Sequence, residues 1–202
     1  MRAATARATA AAVPAGYLLG SVPVAVLVGR RHRLDPRAVG DRNPGYWNVK
    51  EQLGRRAAVP VFAGDALKGA LAAGLGRALA PDGAWGVGYG ATGAAMVGHA
   101  WPAFAGFRGG RSVLTFVGGM VVLSPRAAGV AAAACAAVTA ATSFTWGARV
   151  GVFGFPVAQL VLDSPHRTAA TGALMSLIGL RFALARRTSG PATSGPGAAP
   201  RG

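Results

Sequence analysis

The 202-residue chain combines 52% hydrophobic residues with only 13% charged residues, and its mean hydropathy is +0.40. Because soluble domains carry about 25% charged residues, this composition excludes an ordinary water-soluble domain. The formal net charge of +15 could indicate nucleic-acid binding, but the basic residues lie in short segments between apolar runs, where they are typical of membrane topology. The chain is therefore predicted to be an all-α, polytopic membrane helix bundle with no nucleic-acid partner.

Apolar runs in chain order predict about seven membrane spans. The first run, 10–29, has roughly the 20 residues needed to cross the hydrocarbon core, and a strongly basic stretch follows it over 30–56. The later runs cover 57–80, 84–104, 112–123, 127–146, 150–162 and 172–184. We predict one integral membrane domain over 1–187 and a disordered tail, rich in Pro, Gly and Ser, over 188–202.

The basic residues also predict the orientation of the spans. With seven spans and the N-terminus outside, 16 of the 21 lysines and arginines fall on the inner side and five on the outer side. Short cytoplasmic loops carry an excess of Lys and Arg. The sequence therefore predicts an outer N-terminus, a cytoplasmic C-terminus and a cytoplasmic location for each glycine-rich polar segment.

The first polar segment covers 35–48 and contains Arg37, Asn43 and Asn48 among several glycines. Glycine permits unusual backbone angles, and consecutive amide N–H groups in such a turn can form an anion-binding nest. The alternative is an ordinary charged loop that faces anionic lipid.

A pair of ionisable residues, Asp65 and Lys68, interrupts the otherwise apolar run 57–80. Residues at i and i+3 share one face of a helix, so the two charges can neutralise each other. Burying an ionisable group in a membrane costs at least about 2.5 kcal/mol, which favours a functional site. The alternative is a structural salt bridge near the membrane interface.

The third polar segment begins at His99 and continues to the Gly109–Gly110 pair, which lies between Arg108 and Arg111 and is followed by Ser112. Forked guanidinium donors and exposed glycine amides suit a phosphate group. The histidine could be a base, a donor to an anion or a satisfied polar residue between helices. The glycine pair could also be a helix break with no ligand.

Taken in order, these segments resemble the bacterial acyl-phosphate:glycerol-3-phosphate acyltransferase family over about residues 14–125. The motifs that carry the resemblance are Gly20-Ser21-x-Pro23, Asp35-x-Arg37, Gly40-x-x-Asn43-x-Gly45-x-x-Asn48, Asp65-x-x-Lys68-Gly69 and Gly98-His99-x-Trp101-Pro102-x-Phe104-x-x-Phe107-Arg108-Gly109-Gly110-Arg111. As an ordered set these motifs are specific, whereas any one of them alone would be weak.

The resemblance implies a seven-span protein of the bacterial cell membrane that transfers a fatty acyl group from acyl phosphate to glycerol 3-phosphate. The product, lysophosphatidic acid, is an early phospholipid precursor. Acyl phosphate is already activated, so positioning and charge stabilisation can carry the reaction. No cofactor or metal is expected, and the single cysteine, Cys135, offers no metal cluster. The implied partners are the two substrates and membrane lipid, and the sequence leaves the oligomeric state open.

The resemblance also implies which residues act in the reaction. His99 and Lys68 are expected to be catalytic and, together with the arginines of the third segment, to hold phosphate groups. The residues expected to bind the substrates are Arg37, Asn43, Asn48, Asp65, Arg108, Gly109, Gly110, Arg111 and Ser112.

Four residues of the first segment depart from the family pattern. Asp41, Arg42, Tyr46 and Trp47 stand where the family usually has Ser, Gly, Ala and Thr. A carboxylate at position 41 would repel phosphate unless Arg42 neutralises it. Two bulky aromatic side chains would also crowd a site built for small residues.

A further departure lies in the last span, where Arg181 and Phe182 stand in the region of the family's His-x-x-Asn element. The departures support a second hypothesis, a non-catalytic or acceptor-switched relative that binds lipid or a partner protein. The two hypotheses differ in geometry. The enzyme requires Lys68, His99 and the third-segment arginines around one open cavity, whereas the binding protein is favoured if the two aromatic side chains of the first segment fill it.

Overall fold

The computed structural model describes residues 1–188, with side chains as far as Ala185. Within these residues the chain forms nine α-helices and one short 3-10 turn, with no strand, so the predicted all-α class is confirmed. The helices are α1 (Arg2–Gly20), α2 (Val24–Arg31), α3 (Tyr46–Leu53), α4 (Arg55–Leu79), α5 (Gly86–Ala100), α6 (Val113–Leu123), α7 (Pro125–Ala141), α8 (Phe144–Leu162) and α9 (Pro165–Thr188), and the 3-10 turn is Ala103–Ala105.

Three helical segments are long and apolar enough to cross a membrane by length and composition. They are Arg2–Arg31, Arg55–Leu79 and Pro165–Ala185. Two shorter helices, α6 and α7, are also apolar. These segments support the assignment of the chain as a membrane protein. The count of seven spans and the orientation of the termini stay predictions.

The first apolar run, 10–29, is not one continuous helix, because α1 ends at Gly20 and α2 begins only at Val24. Pro23 causes the break, since proline has no N–H to donate and disfavours helical geometry at the residue before it. A second difference is α3, a short helix within the basic stretch that was predicted as a polar segment.

The later boundaries also differ from the predicted runs. The break between α7 and α8 lies at Thr142 and Ser143, earlier than the predicted gap after 146. Gly147 does not end a helix. It lies inside α8, where its missing Cβ allows close contact with Thr139 of α7. The last helix includes Thr188, which was predicted to begin the disordered tail, and residues 189–202 of that tail lie outside the described residues.

Small residues allow α4 and α6 to pack backbone against backbone. A Cβ on Gly69 of α4 would meet the backbone of Thr115, and a Cβ on Gly118 of α6 would meet the backbone of Ala66. Such reciprocal small-residue contacts are typical of helix interfaces in membranes. The contact holds α4 against the helix that follows the third polar segment.

A buried polar network joins α5, α8 and α9. Gln159 Nε2 donates to Tyr89 Oη at 2.8 Å and to Ser124 Oγ at 2.6 Å, and Thr171 Oγ1 donates to Gln159 Oε1 at 2.6 Å. No member is more than 5% exposed. The network satisfies polar groups that would be costly to leave unpaired in an apolar interior.

Candidate active site

The break between α1 and α2 exposes a backbone carbonyl to the interior of the bundle. Ser21 Oγ donates to Tyr17 O at 2.9 Å and accepts the N–H of Ala103 at 3.3 Å, so the break is tied to the third polar segment. The carbonyl oxygen of Val22 accepts a hydrogen bond from Lys68 Nζ at 3.2 Å. The Ser-x-Pro sequence therefore provides a partner for the lysine in α4.

Three buried polar residues meet where α4 and α5 pack near this break. Lys68 Nζ lies 2.9 Å from Asp65 Oδ1, as the spacing of the two residues in one helix predicts. His99 Nδ1, near the end of α5, lies 3.5 Å from the same carboxylate oxygen without hydrogen-bond geometry. The exposed fractions are 2% for Asp65, 6% for Lys68 and 8% for His99. The three residues form one compact cluster of ionisable side chains in an apolar interior.

A narrow cleft opens onto this cluster and brings together six of the eleven candidate residues. They are Asp65, Lys68, His99, Arg108, Gly109 and Gly110. Its other walls come from the α1–α2 break, the start of α2, Pro44 and Pro102. The remaining candidates do not line it. They are Arg37, Asn43, Asn48, Arg111 and Ser112.

The Gly109–Gly110 pair folds back onto the end of α5. The amide of Gly109 donates to Ala100 O at 3.2 Å, and the amide of Gly110 donates to His99 O at 3.0 Å. The expectation that these amides are exposed for a phosphate is therefore wrong. Glycine is required for a different reason, because a Cβ on Gly110 would meet His99 Nε2 and a Cβ on Gly109 would meet the His99 carbonyl.

The two asparagines of the first segment organise their own loop. Asn48 Nδ2 lies 2.7 Å from Pro36 O, 3.1 Å from Val39 O and 3.2 Å from Asn43 O. The backbone N–H of Asn43 donates to Asp41 Oδ1 at 3.0 Å, which closes a tight turn. These contacts hold the segment in a compact loop beside the cleft.

Arg37 joins the first segment to the third. Its guanidinium forms an ion pair with Asp35 at 2.9 Å and donates to Ala105 O at 3.1 Å. The hydrogen bond from Arg37 lowers the pKa of Asp35, and the same bond raises the pKa of Arg37. Arg37 lines a separate cleft with Arg30 and Arg33.

The carboxylate of Asp41 is neutralised by Arg111, whose Nη1 lies 3.1 Å from Asp41 Oδ2. The expected partner, Arg42, is exposed and has a left-handed backbone with φ of 57°. The guanidinium of Arg111 also lies 4.7 Å from the ring centroid of Phe182 in α9. A long-range contact between the first and third segments therefore compensates the departure at position 41.

Ser112 is buried at the start of α6, and its hydroxyl donates to Met96 O at 2.7 Å. This bond anchors α6 to α5. The side chain therefore supports the helix packing behind the cleft.

The two bulky aromatic residues of the first segment point away from the cleft. Tyr46 packs edge-on against Phe62, with ring centroids 5.6 Å apart, and Trp47 packs against Phe144 at 5.5 Å. Trp47 is 47% exposed. The cleft is therefore not filled by these side chains.

The sequence did not indicate two contacts at the candidate site. One is the Val22 carbonyl, whose only sequence signal is the Ser-x-Pro interruption of an apolar run. The other is Arg181 of α9, which donates to Gly109 O at 2.9 Å and to Gly110 O at 3.1 Å. A charged residue inside an apolar helix is a signal that could have indicated it. Among the described residues, no group of three His, Cys, Asp or Glu side chains could hold a metal ion.

The match to known proteins extends over almost the whole bundle. A family model described as glycerol-3-phosphate acyltransferase matches residues 10–188. The chain belongs to the glycerol-3-phosphate acyltransferase family. This match includes α7 to α9 and therefore continues well beyond the region 14–125 in which the motifs were found.

Curated glycerol-3-phosphate acyltransferases from several bacteria are similar to the chain. One from Rubrobacter xylanophilus is 46% identical over 54% of this chain and 54% of its own length. One from Bordetella petrii is 41% identical over 58% of this chain and 56% of its own length. One from Neisseria meningitidis serogroup C is 41% identical over 81% of this chain and 76% of its own length. The matched part of the chain thus spans about half the length of the first two relatives.

Solved structures of the glycerol-3-phosphate acyltransferase family share the fold. The crystal structure of PlsY (YgiH), an integral membrane glycerol 3-phosphate acyltransferase, in its glycerol 3-phosphate form, is similar with a TM-score of 0.77 and 25% sequence identity. This match covers 90% of this chain and 92% of that one. The lysophosphatidic acid form is similar with a TM-score of 0.74. Together with the apolar helices, the match identifies the chain as an all-helical membrane protein.

Proposed function

We propose that this chain is a membrane acyltransferase that moves a fatty acyl group from acyl phosphate to glycerol 3-phosphate, forming lysophosphatidic acid and inorganic phosphate. The observation that carries the proposal is the convergence of Asp65, Lys68 and His99 on one cleft with Arg108. Family membership supports the reaction class. The glycerol 3-phosphate and lysophosphatidic acid forms of the solved relative support the acceptor and the product.

The proposed reaction is a direct acyl transfer. A hydroxyl oxygen of glycerol 3-phosphate attacks the acyl carbonyl carbon, and the bond between that carbon and the phosphate oxygen breaks. Because acyl phosphate is already activated, the protein contributes positioning and charge stabilisation, and the scheme uses no cofactor. The site must accept the hydroxyl proton and stabilise the departing phosphate.

Lys68 binds the departing phosphate in this proposal. Two of its three ammonium protons are directed at Asp65 Oδ1, 2.9 Å away, and Val22 O, 3.2 Å away, which leaves the third for a ligand in the cleft. Asp65 neutralises the ammonium inside the apolar bundle, where an unpaired charge would be costly. Arg108 is exposed at the cleft and supplies a second cation with forked donors for phosphate.

His99 accepts the proton of the attacking hydroxyl at Nε2. Its Nδ1 lies 3.5 Å from Asp65 Oδ1 without hydrogen-bond geometry, and in this proposal the contact shortens to orient the imidazole when substrate binds. The Nε2 edge lies along Gly110 at the wall of the cleft. Catalytic contacts of this kind are often loose without substrate and tighten when substrate binds.

The five candidate residues outside the cleft act indirectly in this proposal. Their polar groups contact backbone carbonyls or carboxylates of neighbouring segments, so they shape the loops around the cleft. They are Arg37, Asn43, Asn48, Arg111 and Ser112.

The proposal includes a membrane arrangement. A single integral membrane domain over 1–187 has seven spans in the bacterial cell membrane, with the N-terminus outside and the C-terminus in the cytoplasm. The three long apolar segments and the integral membrane description of the solved relative support it. The cleft adjoins the most basic part of the chain, so it faces the cytoplasm, where glycerol 3-phosphate can reach it.

The competing hypothesis of a non-catalytic binding protein predicted a cleft filled by Tyr46 and Trp47. Both side chains instead pack on other aromatic residues away from the cleft. The carboxylate of Asp41 is also neutralised by Arg111. These contacts argue against two of the departures that supported the competing hypothesis. The third departure, the absence of the family's His-x-x-Asn element in the last span, remains.

The test is a reconstituted assay of purified protein with acyl phosphate and glycerol 3-phosphate, with lysophosphatidic acid as the readout. The chain has only two lysines, Lys50 and Lys68, which allows a matched comparison. Lys68→Met should reduce kcat about 100- to 1,000-fold, as expected for loss of a charge that stabilises the transition state. Lys50→Met, which removes a cation from the Trp47 ring, should retain activity. Absence of product from the wild-type chain, under conditions where a family relative is active, would refute the proposed reaction.

A further inference from the structure

Arg181 of α9 forms a forked contact with the third polar segment. Its Nη2 donates to Gly109 O at 2.9 Å, and its Nε donates to Gly110 O at 3.1 Å. The guanidinium carbon lies 4.9 Å from the ring centroid of Trp101, so the fork is also supported by a cation–π contact. The side chain is half-buried, and these contacts define one orientation for it.

The fork completes a clamp on two consecutive peptide units. The amides of Gly109 and Gly110 donate to the carbonyls of Ala100 and His99, while the carbonyls of the same two glycines accept from Arg181. Each glycine is therefore held at both its N–H and its C=O. Without Arg181, the carbonyls of the two glycines would lose these partners, while their amides would keep the hydrogen bonds to the end of α5.

The clamped segment determines the space available to the His99 imidazole. A Cβ on Gly110 would meet three atoms of the imidazole ring, so the ring lies directly against the glycine backbone. A shift of that backbone would let the ring move from its position beside Asp65. The contact chain thus runs from α9 through the glycine pair to the histidine.

The geometry favours a role in positioning over direct binding of a substrate anion. Two of the donor nitrogens of Arg181 are engaged with backbone carbonyls, and the residue does not line the cleft. Among the described residues, Arg181 forms no salt bridge with a carboxylate. Its charge is instead directed at two neutral carbonyls, an arrangement that uses the planar fork of arginine.

We infer that Arg181 is a positioning residue, which holds the Gly109–Gly110 segment so that His99 stays aligned with Asp65 and the acceptor hydroxyl. This inference rests on the proposed function for its effect on turnover. Its structural part, the clamp on the glycine pair, does not depend on which reaction the cleft performs.

The test compares Arg181→Met and Arg181→Lys with the control Arg167→Met, which removes an arginine elsewhere on α9. Steady-state kinetics with acyl phosphate and glycerol 3-phosphate should show kcat about 10- to 100-fold lower in Arg181→Met, as expected for a small misplacement of a reacting group. KM for each substrate should stay within about twofold, because no substrate contact is lost. The kcat of Arg181→Lys should lie between those of wild type and Arg181→Met, since lysine keeps the charge but not the planar fork of donors.

Amide hydrogen exchange of the detergent-solubilised proteins provides a second readout. Exchange at Gly109 and Gly110 should accelerate at least about tenfold in Arg181→Met while amides in the middle of α4 and α5 keep wild-type rates. Unchanged exchange at the glycine pair would overturn the inference, and so would a raised KM for glycerol 3-phosphate with unchanged kcat, which would indicate direct substrate binding. If wild type makes no lysophosphatidic acid, the proposed function fails, and the exchange experiment still decides whether Arg181 clamps the segment.

Discussion

Substitution of Gly110 by alanine should strongly reduce the proposed acyltransferase activity while leaving the fold largely intact. The added Cβ would meet Nε2 of His99 and would lie 3.2 Å from both Cδ2 and Cε1 of the ring. Gly110 is not among the glycines with positive φ, so alanine introduces no backbone strain there. The imidazole is the end of a side chain, and it can yield without displacing a helix.

The size of the effect follows from the displacement of the ring. To restore ordinary contacts of about 3.5–4.0 Å between heavy atoms, the imidazole must move by about 1 Å. A misplacement of about 1 Å in a catalytic group can cost about 100-fold in rate, which corresponds to about 2.7 kcal/mol in the barrier. Overpacking by one methyl group should lower the free energy of unfolding by only about 1–2 kcal/mol.

Two other glycines serve as controls. A Cβ on Gly109 would meet the His99 carbonyl, and it would lie 2.6 Å from Pro102 Cδ and 2.9 Å from the Ala100 carbonyl oxygen. Because two of these contacts are with backbone atoms, the backbone must move to accept the methyl group. Gly109→Ala should therefore destabilise the protein by more than about 3 kcal/mol. A Cβ on Gly172 of α9 would meet nothing within 4 Å, so Gly172→Ala should keep both activity and stability.

The assay measures kcat for lysophosphatidic acid formation together with the melting temperature in detergent for all three variants. Gly110→Ala should lose activity with a melting temperature near that of wild type, whereas Gly109→Ala should lose stability. Wild-type kcat in Gly110→Ala would refute the role of His99 at this position. A loss of stability equal to that of Gly109→Ala would refute the reasoning that the ring, and not the backbone, gives way.

Two further predictions concern stability. Gln159→Leu should lower the free energy of unfolding by about 1–3 kcal/mol, because it leaves the hydroxyl groups of Tyr89, Ser124 and Thr171 without their shared partner. Thermal unfolding measures this loss. The kcat should not change, since Tyr89 lies about 15 Å along α5 from His99. The Arg37 guanidinium holds the pKa of Asp35 below its ordinary value of 3.8, so this pair stabilises the folded state above that pH and the contribution is lost as the pH falls through the lower folded-state pKa. Wild type and Asp35→Asn should therefore differ in melting temperature at pH 6, and the difference should shrink progressively as the pH is lowered below 3.8. A difference that does not change with pH would contradict this linkage.

The sequence alone determined the class of this protein and the order of its motifs. Apolar runs predict membrane helices from sequence, because the length of a run need only be compared with the thickness of the hydrocarbon core. The ion pair of Asp65 and Lys68 was also predictable, since residues three positions apart in a helix share one face. The order of the three polar segments then indicated the family.

Only the tertiary structure decided which of these residues face the cleft. Lys68 bonds to a carbonyl 46 residues earlier in the chain, and Arg181 bonds to carbonyls 71 and 72 residues earlier. Asp41 is neutralised by Arg111, not by the adjacent Arg42. No local pattern encodes these partners, because they depend on how closely the glycine-lined helices pack. The same close packing places the glycine pair, whose amides were expected to be exposed for a phosphate, as the wall against which His99 rests.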